Sequence, residues 1–306
     1  MYLLLAVACT ADTPADPTTT PTPGDSSPPT DTATSPPVTP LVAVGSYFGG
    51  TITLYDRADG SFWGSLDAPG AQTITVGPDG SWIVCAEEEN EIRRFDPTDL
   101  SMWEVLLRED RETAELEAGG LDGPTAAAWG PDGRLYVSSF NDDRVLRFES
   151  DGTFVDTFVL AGDGGLDGPD IALAWDDDGD LYVPSWYGDA VLRYDGATGA
   201  FVEVVLDAED GLAAPRGILF DEAGTLWASG NGSDVVLRRY ADGAVDMFAE
   251  VRGAAGMALE ASTVLVASSS TDAVRVYDRA TGDVIEMFTN DERIDGITTV
   301  TLLPRP

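Results

Sequence analysis

Six residues carry most of the chemistry this sequence can offer: Asp295, Gln72, Thr125, Asp170, Arg216 and Ala255. Each stands at the head of an apolar run, after a Pro or the residue taking its place. The patterns are Asp295-Gly296-Ile297, Ala71-Gln72-Thr73, Pro124-Thr125-Ala126, Pro169-Asp170-Ile171, Pro215-Arg216-Gly217 and Ala254-Ala255-Gly256. Asp170 and Arg216 suit a charge-assisted pair, which serves either as a lid or as a joint grip on a polar ligand. Calcium is a third use, but it wants about six to eight oxygens, and a neighbouring guanidinium competes for Asp170 and repels the ion. No metal or cofactor is therefore expected. A second group, Tyr47, Asn141, Trp186, Tyr187 and Asn231, with Phe48, Phe140 and the run Glu87-Glu88-Glu89, falls in polar bends. Aromatics beside acids and amides stack on sugars or grip a partner's side chains; rings at such bends also fill space between packed sheets, and both uses stay open.

These residues recur because the chain is a repeat. The stretch 130–160 opens with the turn Gly130-Pro131-Asp132-Gly133, continues through the apolar run 135–137, bends, and runs on through 145–148 and 154–160. Gly and Asp supply the backbone angles of tight turns, and short alternating runs of Val, Leu, Tyr and Phe fit half-buried strands. Five further copies share a frame of three apolar residues, five bend residues, an anchor, a free position and a β-branched residue. The anchors Gly50, Asn90, Asp143, Asp189, Asp234 and Asp272 stand 38 to 53 residues apart. Four strands per unit at that period predict an all-β, six-bladed β-propeller of four-stranded antiparallel blades.

The ends of the chain complete the ring. The last apolar segment, 296–303, reads as an innermost strand without partners, and the first repeat, from Leu41, lacks one. Pairing the C-terminal strand with the N-terminal blade closes the propeller over 41–306 and hides the edges an open array would expose. In a propeller the lead-ins to the innermost strands and the bends after the second strands share one face, so both residue groups converge on the channel mouth.

Composition limits the function classes. With 54 acidic residues against 17 basic, all arginine, the formal charge is −37, which repels nucleic acid and anionic headgroups and favours a soluble monomer. There is no histidine, which removes a histidine base, a Ser-His-Asp triad and histidine-ligated zinc. Cys85 reads as a small core residue. Asp176-Asp177-Asp178-Gly179-Asp180 resembles part of a calcium loop but lacks the distal Glu and occupies the turn position of 130–133, so it reads as a turn. The charged insertion 108–117 reads as a solvated loop.

The apolar run 2–8 ends in small residues before Cys9. It resembles a bacterial lipoprotein signal over 1–9, which implies lipidation at Cys9; no basic residue precedes the run, and Ala6 stands where Leu is usual. Residues 10–40 are dense in Pro and Thr and cannot bury enough surface to order, so they read as a linker. Export to the cell surface or periplasm of a bacterium follows, with the membrane reached only through an N-terminal anchor.

The copies at 135–157 and 181–204 resemble NHL repeats, keeping Asn141, Arg144-Val145 and Phe148, and Asp189, Val191 and Tyr194-Asp195. That resemblance implies the propeller fold and is shared by binding modules and enzymes. Pro215-Arg216-Gly217-Ile218 and Pro169-Asp170-Ile171-Ala172 also resemble the gluconolactonase and senescence-marker branch of six-bladed propellers. It implies a divalent cation such as calcium, held by a Glu, an Asn and an Asp, and sugar-lactone hydrolysis; Asp170 matches the Asp, while Thr125 or Arg216 stands for the Asn and Gln72 for the Glu. Streptogramin lyases, a further similar group, are expected to need histidine. The expected function is a lipid-anchored binding or scaffolding module for a polar small molecule, glycan or protein at the cell envelope. The alternative is a metal-dependent lactonase using Asp170 and Asp295.

Overall fold

The computed structural model describes residues 39–109 and 118–306. Cys9, the Pro/Thr-rich segment to residue 38, and most of the charged insertion lie outside them. The described residues hold six four-stranded antiparallel sheets. Blade one joins the two ends: Ile297–Leu303 is innermost, followed by Leu41–Ser46, Thr51–Asp56 and Phe62–Asp67. Leu41 faces Leu303 and Val44 faces Val300 across the closing pair. Blades two to six follow in order over 71–108, 124–159, 169–206, 215–250 and 254–289. The expected architecture and its closure are both present.

The second strand of each blade is buried along its length, as at Leu41–Ser46, Trp82–Ala86 and Leu135–Ser139, save for Thr263 at the start of Thr263–Ser268 in blade six. Such runs lack the polar alternation of a one-sided sheet because both faces pack on neighbouring blades. Large rings bridge the blades. Tyr136 of blade three meets Trp175 of blade four edge-on at 4.8 Å, and Trp227 and Trp82 are about 1% exposed. Cys85 is fully buried, and burial pushes its thiol up to about 12.

The repeat's anchors explain how successive blades are joined. Asn90, Asp143, Asp189, Asp234 and Asp272 all have positive φ, between 45° and 59°, and Gly50 has 64°. Asn and Asp tolerate this left-handed conformation better than other side-chain-bearing residues. Their side-chain oxygens then accept a backbone N–H at the head of the next blade's innermost strand: Asn90 from Gly123 at 3.0 Å, Asp143 from Gly168 at 2.8 Å, Asp189 from Ala214 at 2.7 Å, Asp234 from Gly253 at 2.7 Å. Asp272 takes the amide of Ile297 at 2.8 Å, tying blade six to blade one.

Candidate functional site

Register decides which side chains meet at the channel mouth. Ala71, Pro124, Pro169, Pro215 and Ala254 each pair with the last residue of their second strand, respectively Ala86, Ser139, Ser185, Gly230 and Ser268. Gln72, Thr125, Asp170, Arg216 and Ala255 follow at equivalent positions. Blade four carries one extra residue there, absorbed as a local bulge in which Ala172 N–H bonds back to Asp170 O at 2.8 Å.

Asp295 does not join this ring. In blade one Ile297 pairs with Ser46, so the sixth position is Thr298. Asp295 is exposed, its amide and carbonyl held by Ser46 Oγ at 2.8 and 3.0 Å. The Gly-Ile shared by Arg216-Gly217-Ile218 and Asp295-Gly296-Ile297 sets Asp295 opposite Arg216, three residues before the true ring position, Thr298. A better signal was present: Gly70, Gly123, Gly168, Gly253 and Gly296 all have positive φ and stand two residues before their ring residue.

The ring divides into structural and charged parts. Thr298 Oγ1 donates to Gln72 O at 2.8 Å, Thr73 Oγ1 to Thr125 O at 2.9 Å and Thr125 Oγ1 to Pro169 O at 2.8 Å. These hydroxyls sew neighbouring innermost strands together, and Thr125 is spent on that task. Ala255 is buried and apolar. The remaining three form a relay. Arg216 Nε donates to Asp170 Oδ2 at 2.7 Å and Nη2 to Oδ1 at 3.4 Å, while Nη2 also reaches Gln72 Oε1 at 3.4 Å. Gln72 Nε2 donates to Glu87 Oε2. Glu87, which closes the relay, lies in the acidic bend of blade two; its tie to Gln72 could not be read from sequence, because it depends on side-chain direction.

Burial pushes the Asp170 carboxyl upward, opposed by the charge and hydrogen bonds of Arg216. Glu87 is also raised, by burial first; the bond from Gln72 opposes this, and the charge of Asp170 adds to it. Arg216 lies 5.4 Å from the Trp186 ring centre, so its guanidinium is held between a carboxylate and an aromatic face. Tyr47 is half-buried, edge-on to Phe48 at 5.2 Å, and burial with the charges of Glu87 and Glu88 raises its hydroxyl. Phe48 and Tyr187 are 73% and 64% exposed, and Tyr187 packs against Phe140 at 5.7 Å. Asn141 donates to Asp122 Oδ1 at 2.9 Å. Asn231 instead donates to Ala254 O at 3.1 Å and Ser269 Oγ at 2.9 Å, a tie between blades five and six.

This donor set does not suit a divalent cation. Asp170 is engaged by Arg216 on both oxygens, Gln72 is bonded at both ends, and Asp295 lies elsewhere. Among the described residues no three or more acidic or sulfur ligands are grouped to hold a metal. The Asp176–Asp180 run forms a turn, with Asp176 Oδ1 accepting from Asp178 N at 3.1 Å and Asp180 N at 2.9 Å.

No protein-family model matches the chain, and no curated protein matches it. Solved structures do resemble it. A chain in the crystal structure of a nidogen/laminin complex superposes with a TM-score of 0.71 at 16% identity, covering 87% of this chain and 99% of that one. A streptogramin B lyase matches at 0.62 and 14% identity, covering 89% and 92%. A catalytically inactive histidine-to-alanine variant of virginiamycin B lyase from Staphylococcus aureus, with quinupristin, matches at 0.58 and 13%, covering 85% and 92%. At these identities the likeness establishes the six-bladed propeller fold.

Proposed function

We propose that this chain is an exported, lipid-anchored, NHL-like propeller of the bacterial cell envelope. It acts as a monomeric binding or scaffolding module whose channel mouth recognises a polar small molecule, glycan or protein segment. The observation that carries the reading is the relay Asp170–Arg216–Gln72–Glu87, built from three blades and bordered by Trp186, Tyr47 and the exposed rings of Phe48 and Tyr187. Fixed hydrogen-bonding groups beside exposed aromatics suit recognition of a polar partner. The nidogen/laminin neighbour was crystallised as a complex, which supports a protein-binding use of the fold. The histidine that is replaced in the inactive virginiamycin B lyase has no counterpart in a chain without histidine, which favours binding over that lyase chemistry.

The test has two parts. Metabolic labelling with a fatty acid in a bacterial host should mark the full chain and fail to mark Cys9→Ser. A panel of envelope glycans and peptides should contain a ligand bound by the full chain and weakened about tenfold or more by Tyr47→Ala or Tyr187→Ala. Ligands that bind both variants as tightly as the parent would move recognition away from the mouth.

A further inference from the structure

We infer that a cleft between blades four and five binds a small, singly charged carboxylate with an apolar body, its headgroup on Arg239. The repeat itself points there. Five residues after their anchors, five blades carry a buried ring at the same register: Tyr55 opposite Val42, Phe95 opposite Trp82, Phe148 opposite Leu135, Tyr194 opposite Leu181 and Tyr277 opposite Val264. In blade five the residue opposite Leu226 is Arg239. The ring has moved on to Tyr240, whose hydroxyl bonds Asp246 Oδ2 at 3.0 Å. Alternate residues of a strand share a face, so Arg239 stands on the side of Leu237, which packs towards Tyr182 and Val191 of blade four.

The space that a ring fills elsewhere is open here. A cavity of about 380 Å³ is lined by Arg239 with Tyr182, Phe220 and Leu226, a size within the range of small-molecule pockets. It lies where the innermost strands end, at Trp175 and Phe220, on the face away from the mouth. Tyr182 and Phe220 meet edge-on at 4.9 Å and give it an apolar wall. Most other charges of the lining are engaged. Arg193 is held by Asp180 at 2.7 Å and Glu203 at 3.0 Å. Asp221 accepts from Ala223 N, Thr225 N, Trp227 Nε1 and Arg279 Nη2, and Asp176 from the amides of its own turn. Arg239 is half-buried and, among the described residues, has no hydrogen-bond or ion-pair partner. Such a guanidinium has lost part of its hydration, which a carboxylate restores through two parallel bonds. Asp177 and Asp178, exposed at the rim, oppose every anion and a doubly charged one most, which selects a monocarboxylate over a phosphate.

The full chain is titrated calorimetrically at pH 7 with phenylpropionate, isovalerate, phenylpropionamide and phenyl phosphate. The inference expects both carboxylates to bind at millimolar concentration or below, the amide to bind about tenfold or more weakly than phenylpropionate, and the phosphate to bind no tighter than the carboxylates. Arg239→Gln should remove the difference between acid and amide. Arg239→Phe restores the ring of the repeat; it should abolish binding of every probe and raise the thermal midpoint by about 1–3 °C. Carboxylate binding that survives Arg239→Gln, equal binding of acid and amide, tighter binding of the phosphate, or no binding of either carboxylate at about 10 mM overturns the inference. A lower midpoint for Arg239→Phe would overturn the account of the cleft as the place of the missing ring. The inference does not rest on the reading of the mouth, whose residues neither variant touches.

Discussion

Asp189 Oδ1 accepts the backbone N–H of Ala214 at 2.7 Å, and both residues have positive φ, 50° and 44°, although neither is glycine. Three corresponding pairs put glycine at the second position: Asn90 with Gly123, Asp143 with Gly168 and Asp234 with Gly253. Blade five therefore holds a strained alanine where its neighbours have none. Replacing it, as Ala214→Gly, should stabilise the protein by about 0.5–1 kcal/mol, since relief of the left-handed strain exceeds the added entropy of an unfolded glycine. Thermal unfolding should shift upward by about 1–3 °C; a lower midpoint would remove strain as the account of this residue.

The anchor itself has two roles that substitution can separate. Asp189→Asn keeps a side-chain acceptor and left-handed tolerance and should be nearly neutral. Asp189→Gly keeps only the backbone freedom, and Asp189→Ala keeps neither, so losses of about 1 and about 2–3 kcal/mol are expected. Denaturant midpoints in the order Asn, Gly, Ala would bear out both roles. Equal stability of the alanine and parent chains would show that the inter-blade bond contributes nothing.

Arg216→Ala strands Asp170, whose side chain is 4% exposed, without its counter-charge. Loss of one partner from a buried pair costs about 3–5 kcal/mol, whereas apolar replacement of both partners is often close to neutral. The double variant Asp170→Leu with Arg216→Met should therefore be more stable than Arg216→Ala alone. If the double variant is the weaker of the two, the pair is a net source of stability rather than a pre-formed grip.

Glu87 predicts a particular pH dependence. Its folded pKa is raised by burial and by Asp170, so its contribution to stability is fully present below the unfolded value and is lost as pH rises through the folded one. Glu87→Gln removes that loss. The variant should equal the parent at pH 4 and melt at a higher temperature at pH 7. A lower midpoint at pH 7 would mean that the ionised carboxylate is stabilised by its surroundings.

Closure can be tested by truncation. Removing 297–306 deletes the innermost strand of blade one, uncovers the edge of Leu41–Ser46, and takes away Arg305, which bonds Asp56. The shortened chain should lose its cooperative transition and self-associate through the open edge, read by light scattering. A monomeric, cooperatively melting truncation would show that closure is dispensable.

The sequence by itself determined the propeller, its number of blades and its closure, because these follow from local patterns repeated six times. The apolar triplets, turn glycines and anchors mark where each strand begins and ends without any knowledge of contacts. It also brought Gln72, Asp170 and Arg216 to one mouth, since equivalent positions in a ring converge by symmetry. Only the tertiary structure decided which ring side chains touch. Asp295 gave way to Thr298 because register in the closing blade is set by strand pairing, and the Gly-Ile match did not report that pairing. The anchors were legible as a pattern but not as inter-blade acceptors, and Glu87 was visible as an acid in a bend but not as the end of a relay. Side-chain direction and hydrogen-bond choice depend on neighbours that are distant in the chain, and no local pattern carries that information.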